Sequence, residues 1–159
     1  MRLCVLAIAI PFVFEMTSGL AAPMEGAAES AECKGIIARL LAATNASFDH
    51  YSPSRDTVFL RSPKIVLSCR SHRFTGISLT WDGSDAPPNA WFGLLAKAGK
   101  AATGVDLQEL QSASRQCHRS ALKDKTELAD IEISNAKIEC QAFTREGGGI
   151  NISIWMNDR

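Results

Sequence analysis

A chain of 159 residues with 17 Lys+Arg against 17 Asp+Glu has no basic surplus to neutralise a phosphate backbone and no charge run to hold an anionic membrane. Nucleic acid is therefore excluded as the expected partner. With 46% hydrophobic and 21% charged residues, the chain is composed as one globular domain with a core of its own, not as a disordered segment.

The first residues read as a secretory signal. Arg2 is the positive end, Leu3 to Phe14 the apolar stretch, and Gly19 and Ala21 the small residues before a cleavage site after Ala21, with Ala27 a second option. The stretch falls short of the roughly 20 residues that span a bilayer, so no membrane span is expected after cleavage. Its short, alanine-rich character points to a bacterial protein delivered to the periplasm or the exterior. Residues 22–29 are small and acidic and are expected to form a disordered leader, which leaves 30–159 as the folded domain.

Loss of the signal removes Cys4 and leaves Cys33, Cys69, Cys117 and Cys140, an even set that reads as two disulfides in an exported chain. No CxxC or closely spaced histidine pair is present, so neither a metal nor a cofactor is expected.

Ser30 is placed to cap a helix to about Ala43, on which Cys33, Ile36, Ile37, Leu40 and Leu41 share one face. Residues 45–55 are polar and read as a loop. Strands follow at 57–61, 64–70 and 76–81, each alternating apolar and polar residues before the 82–88 turn. A helix is expected over 89–102 with Trp91, Leu94, Leu95 and Ala98 inward, ended by Gly104. Asp106 and Glu109 have capping-box spacing for the next helix, whose apolar face carries Leu110, Ala113, Cys117 and Ala121. Strands at 130–134, 136–144 and 150–156 close the chain.

The order α-βββ-αα-βββ predicts an α+β fold, an antiparallel sheet of about six strands with helices packed on one face. Each half holds a helix with one cysteine, a strand with an inward cysteine, and a strand opening on Gly-Ile (Gly76-Ile77 and Gly149-Ile150). This repeat reads as an internal duplication, and by it Cys33 pairs with Cys69 and Cys117 with Cys140.

Residues with catalytic chemistry are few. Cys117 and His118 are adjacent on a helix and diverge by about 100°, so they do not form a dyad. His50 and His72 lie in loops with no nucleophile nearby in sequence, and Asp82 and Asp85 sit in a turn running into Pro87-Pro88. Gly147 to Gly149 lie between two strands, where a hairpin turn and not a phosphate loop is expected.

Strand parity marks a different feature. With Ile150, Ile152, Ile154 and Met156 facing the core, Trp155 projects from the polar face, and a five-residue loop 145–149 sets Glu139 opposite Trp155 and Phe143 opposite Asn151. Trp81, by contrast, points inward. Trp155, Phe143 and Phe92 are the candidate binding residues, since tryptophan and other aromatics concentrate at binding hot spots. The expectation is a non-enzymatic exported binding domain for a protein or small-molecule ligand. The alternative is a small periplasmic hydrolase that gathers loop histidines with carboxylates.

Overall fold

The computed structural model describes residues 26–70, 75–83 and 86–157. The expected signal peptide over 1–21, the loop residue His72 and the turn residue Asp85 lie outside them. The described residues form helices α1 (Ala31–Thr44), α2 (Asn89–Thr103) and α3 (Leu107–Ala121) and strands β1 (Ser47–Tyr51), β2 (Thr57–Arg61), β3 (Ile65–Cys69), β4 (Thr75–Trp81), β5 (Leu128–Ile133), β6 (Ala136–Ala142) and β7 (Ile150–Met156). None of these helices is long and apolar enough to cross a membrane.

Local signals set the helix ends. The Ser30 hydroxyl accepts from the Cys33 N–H at 3.2 Å, and α1 closes on Asn45 in the left-handed region at φ 57°. Gly104, at φ 77°, returns its N–H to the Lys100 carbonyl and ends α2. Asp106 accepts from the N–H groups of Gln108 and Glu109, which holds its carboxyl below the usual carboxylate range. The reciprocal half of the expected capping box is not made, because the Glu109 carboxylate accepts from Ser134 Oγ at 2.6 Å instead.

The strands form one antiparallel sheet in the order β1-β2-β3-β4-β7-β6-β5. β1 is the strand missing from the six-strand expectation. Four of its five residues are exposed and it pairs only with β2 at the sheet edge, so it carries none of the apolar alternation that marks a half-buried strand. Just before α1, Ala27–Glu29 form a 3-10 turn. Ala28 is fully buried and donates its N–H to the Arg55 carbonyl at 2.9 Å.

All three helices lie on one face of the sheet, as the alternation implied. Val58, Leu67, Ile77, Ile154, Ile138 and Ile131 stand opposite one another across six strands and form a continuous apolar row beneath the helix layer. Cys33 bonds Cys69 and Cys117 bonds Cys140, with Cα separations of 6.1 and 5.9 Å. Both pairings are those the repeat implied.

The repeat itself takes a different register. Cys69 faces Thr75 and Cys140 faces Ile152, so matching the cysteines carries Ile77 onto Ile154, the residue directly opposite it. The strand order is thus symmetric about the β4–β7 seam, and Gly76-Ile77 does not correspond to Gly149-Ile150. The helices depart from the symmetry: Cys33 lies in the first turn of α1, Cys117 toward the end of α3.

The β6–β7 loop is also longer than expected. Ala142 pairs with Ile150, so residues 143–149 form the connection, with a 3-10 turn at Thr144–Glu146 and Gly147, Gly148 and Gly149 at φ 98°, 110° and 103°. Three successive left-handed residues without a Cβ let the chain reverse there. The register slips by two residues, which preserves parity: Lys137 faces Trp155 and Glu139 faces Ser153.

Among the described residues one buried side-chain polar atom has no partner. Ser114 Oγ on α3 is fully buried and makes no hydrogen bond. Ser114→Ala removes an unsatisfied hydroxyl and improves helix propensity, so it is expected to stabilise the domain by about 1 kcal/mol. A lower urea midpoint in the variant would show that the hydroxyl has a role in the native core.

Candidate functional site: the open face of the sheet

The face opposite the helices carries the outward half of each strand's alternation, and among the described residues no helix covers it. At the seam it presents Gly76 beside Trp155, Ser78 beside Ser153, and Thr80 beside Asn151. The serine hydroxyls lie 2.6 Å apart, and Asn151 Nδ2 donates to Thr80 Oγ1 at 2.9 Å.

Trp155 is half-buried, lying across this face and not standing out from it. A Cβ on Gly76 would come within 2.6 Å of Trp155 Cε3 and 2.5 Å of the Ile154 carbonyl oxygen. Only glycine leaves the indole room to settle against β4. On its other side the indole N–H donates to Glu139 Oε2 at 2.9 Å, and Glu139 Oε1 lies 3.0 Å from Lys137 Nζ. The Lys137 ammonium's hydrogen bond to Glu139 and the charge of that carboxylate raise the Lys137 pKa, with Asp130 a further anion 4.0 Å away. The Glu139 carboxylate thus ties the ring to the ammonium and orders both.

Beside this cluster a depression of ≈ 380 Å³ is lined by the polar residues Asp130, Lys137, Glu139, Gln141, Asn151 and Ser153 together with Leu128, Ala129 and Cys140. Its walls offer carboxylate, ammonium, amide and hydroxyl groups on β6 and β7, which are hydrogen-bonded on both sides, and on the edge strand β5. Such a surface can orient a polar ligand by directional hydrogen bonds while the indole supplies apolar area.

The other two aromatic candidates are not part of it. Phe92 is 3% exposed, set against Trp91 and His118 with the Arg115 guanidinium 4.7 Å from its ring centroid. The expectation of an outward Phe92 assumed one buried stripe on α2. The helix packs against both α1 and α3, and so buries two. Phe143 leaves β6 for the loop, where it is half-buried. At about 3.3 Å per residue, the stretch from Lys137, the partner of Trp155, to Phe143 is roughly 20 Å. Of the three, only Trp155 lies in the cluster.

The two described histidines, His50 and His118, are not gathered. His50 is on edge strand β1, stacked on Phe59 with centroids 4.6 Å apart and paired with the adjacent Asp49. His118 is on α3, beneath the opposite half of the sheet, and Asp82 is exposed in the loop after β4. Cys117 is held in its disulfide. Among the described residues no cluster of three metal-ligating side chains occurs.

His118 instead marks a pH dependence of stability. Burial, aided by the adjacent Arg119 charge, lowers its pKa. The unfolded chain then takes up a proton near pH 6.5 that the native state resists, so stability present above that pH is lost as pH falls through it. The urea midpoint is expected to drop between pH 7.5 and pH 5, and the drop to shrink in His118→Gln. An equal drop in the variant would assign the dependence to other groups.

The polar depression was present in the sequence as the outward set Lys137, Glu139, Gln141, Asn151 and Ser153. Nothing local distinguished it from a solvated strand face until the register brought β6 and β7 together. Comparison with protein-family models, curated proteins and solved structures returns no match.

Proposed function

We propose that this protein is an exported, non-catalytic binding module that takes its ligand on the open face of the sheet, around Trp155 and the depression beside it. The observation that carries this reading is the ordered cluster of Trp155, Glu139 and Lys137 on a face no described helix covers. Asp130, Glu132 and Glu139 outweigh Lys137 there, which favours a neutral or cationic partner rich in hydroxyl, amide or ammonium groups. Two disulfides suit an oxidising compartment, the bacterial periplasm or the exterior, reached by way of the N-terminal signal.

The test uses immobilised protein exposed to a periplasmic extract and a culture supernatant, with Trp155→Ala, Glu139→Ala and a remote helix variant, Lys34→Ala, in parallel. A ligand of the sheet face is retained by the wild type and Lys34→Ala and is lost at least tenfold from both face variants. Circular dichroism confirms that all are folded. Retention by Trp155→Ala and Glu139→Ala at the wild-type level would overturn the assignment.

A further inference from the structure

On the helix side, away from the open sheet face, a furrow of ≈ 550 Å³ runs between α1 and the C-terminal half of α2. Its apolar wall is Ala43, Ala101, Ala102, Leu107 and Met156. The alanines and Gly104 leave space where larger side chains would close the helices together, and Met156 supplies a pliable floor. Three cations border it: Arg39 from α1, and Lys97 and Lys100 one turn apart on α2. Among the described residues no carboxylate lines the furrow and neither lysine forms an ion pair, the acidic neighbour Asp106 feeling the Lys100 charge from beyond the lining. The Arg39 Nε–H donates to the Ala101 carbonyl at 2.9 Å, fixing that guanidinium at the rim, with Nη1 toward Gly35 of α1.

An apolar trough with a one-sign rim selects an amphiphile of the opposite sign. We propose that this furrow binds a free alkyl carboxylate, its chain against Ala43, Ala101 and Met156 and its head group among Lys97, Lys100 and Arg39. The α2 residues from Lys97 to Gly104 extend roughly 10 Å at 1.5 Å per residue, which suits a medium-length chain. The site stands on its own geometry and is independent of the proposal for the sheet face.

Calorimetric titration with decanoate, decanol, decyltrimethylammonium and butyrate, each below micellar concentration, tests it on the full folded domain. Decanoate is expected to bind saturably at one site and shift the Met156 methyl resonance. Decyltrimethylammonium should bind at least tenfold more weakly, and butyrate should not saturate. Lys97→Glu with Lys100→Glu should weaken decanoate at least tenfold while leaving decanol unchanged. Ala43→Trp, at an exposed position that tolerates bulk, should abolish both without loss of the folded circular dichroism spectrum. No saturable decanoate binding, equal affinity for the cationic amphiphile, or an unmoved Met156 methyl would each overturn the proposal. Binding to phosphatidylglycerol vesicles without saturable decanoate binding would also overturn it, in favour of a membrane-docking face.

Discussion

Reduction of both disulfides is expected to unfold the domain at room temperature. The two bonds close loops with sequence separations of 36 and 23, which do not overlap. In the chain-entropy model each contributes roughly 3–4 kcal/mol, so together they supply about 7 kcal/mol. A domain of this kind has a total stability of only about 5–15 kcal/mol. Loop length makes the Cys33–Cys69 bond the larger contributor, but only by a few tenths of a kcal/mol. All four sulfurs are buried between helix and sheet, so paired Cys→Ala replacement adds a packing loss to either bond. Urea denaturation of the native protein, of each double-alanine variant and of the reduced protein measures the terms separately. Each variant should lose a similar amount, and the reduced chain should show no cooperative transition. A reduced protein within about 1 kcal/mol of the oxidised one would mean that the helix–sheet core holds without its crosslinks.

Ile154→Ala is the most damaging single core substitution we expect, at about 3–5 kcal/mol on the large-to-small scale. Ile154 is fully buried at the seam, opposite Ile77 on one side and Ile138 on the other. A Cβ on Gly99 of α2 would lie 2.7 Å from its Cδ1 atom, which shows how closely the helix approaches. The side chain therefore joins both halves of the sheet and the central helix, and rigid backbone on three sides prevents collapse into the vacated volume. Ile131 occupies the same apolar row at edge strand β5 and is only half-buried, so Ile131→Ala should cost about 1–2 kcal/mol. Equal losses at the two positions, measured by urea unfolding, would contradict a core centred on the β4–β7 seam.

Much of this architecture is legible in the sequence. Helix ends at Ser30, Gly104 and Asp106 follow from groups that satisfy backbone donors and acceptors within a few residues, so the chemistry is local. Strand parity was equally local, because the side-chain period of two survives a two-residue error in register. That is why Trp155 was placed on the correct face although its expected partner, Glu139, proved to be a diagonal neighbour. β1 was missed for the converse reason. An edge strand with four exposed residues is held by backbone hydrogen bonds to β2, and its side chains carry little of that information. Asp56 combines both kinds of contact: hydrogen bonds from Ser54, Thr57, Ser52 and Arg70 lower its pKa to about 2, and the Arg70 contact comes from the end of the neighbouring strand β3.

Phe92 and Gly76 mark the boundary most clearly. The inward turn of Phe92 depends on α2 having neighbours on both flanks, which no helical periodicity reports. Gly76 matters because Trp155, far away in sequence, lies over it. What the amino-acid sequence determined by itself was the helices and all strands but the edge strand β1, the faces of those strands, and a cysteine repeat sufficient to pair the four sulfurs. Tertiary structure alone decided the seam register, the clustering of Trp155 with Glu139 and Lys137, and the cation-rimmed furrow between α1 and α2. Those features are made of contacts between distant segments, and their energies depend on separations that only the folded backbone sets.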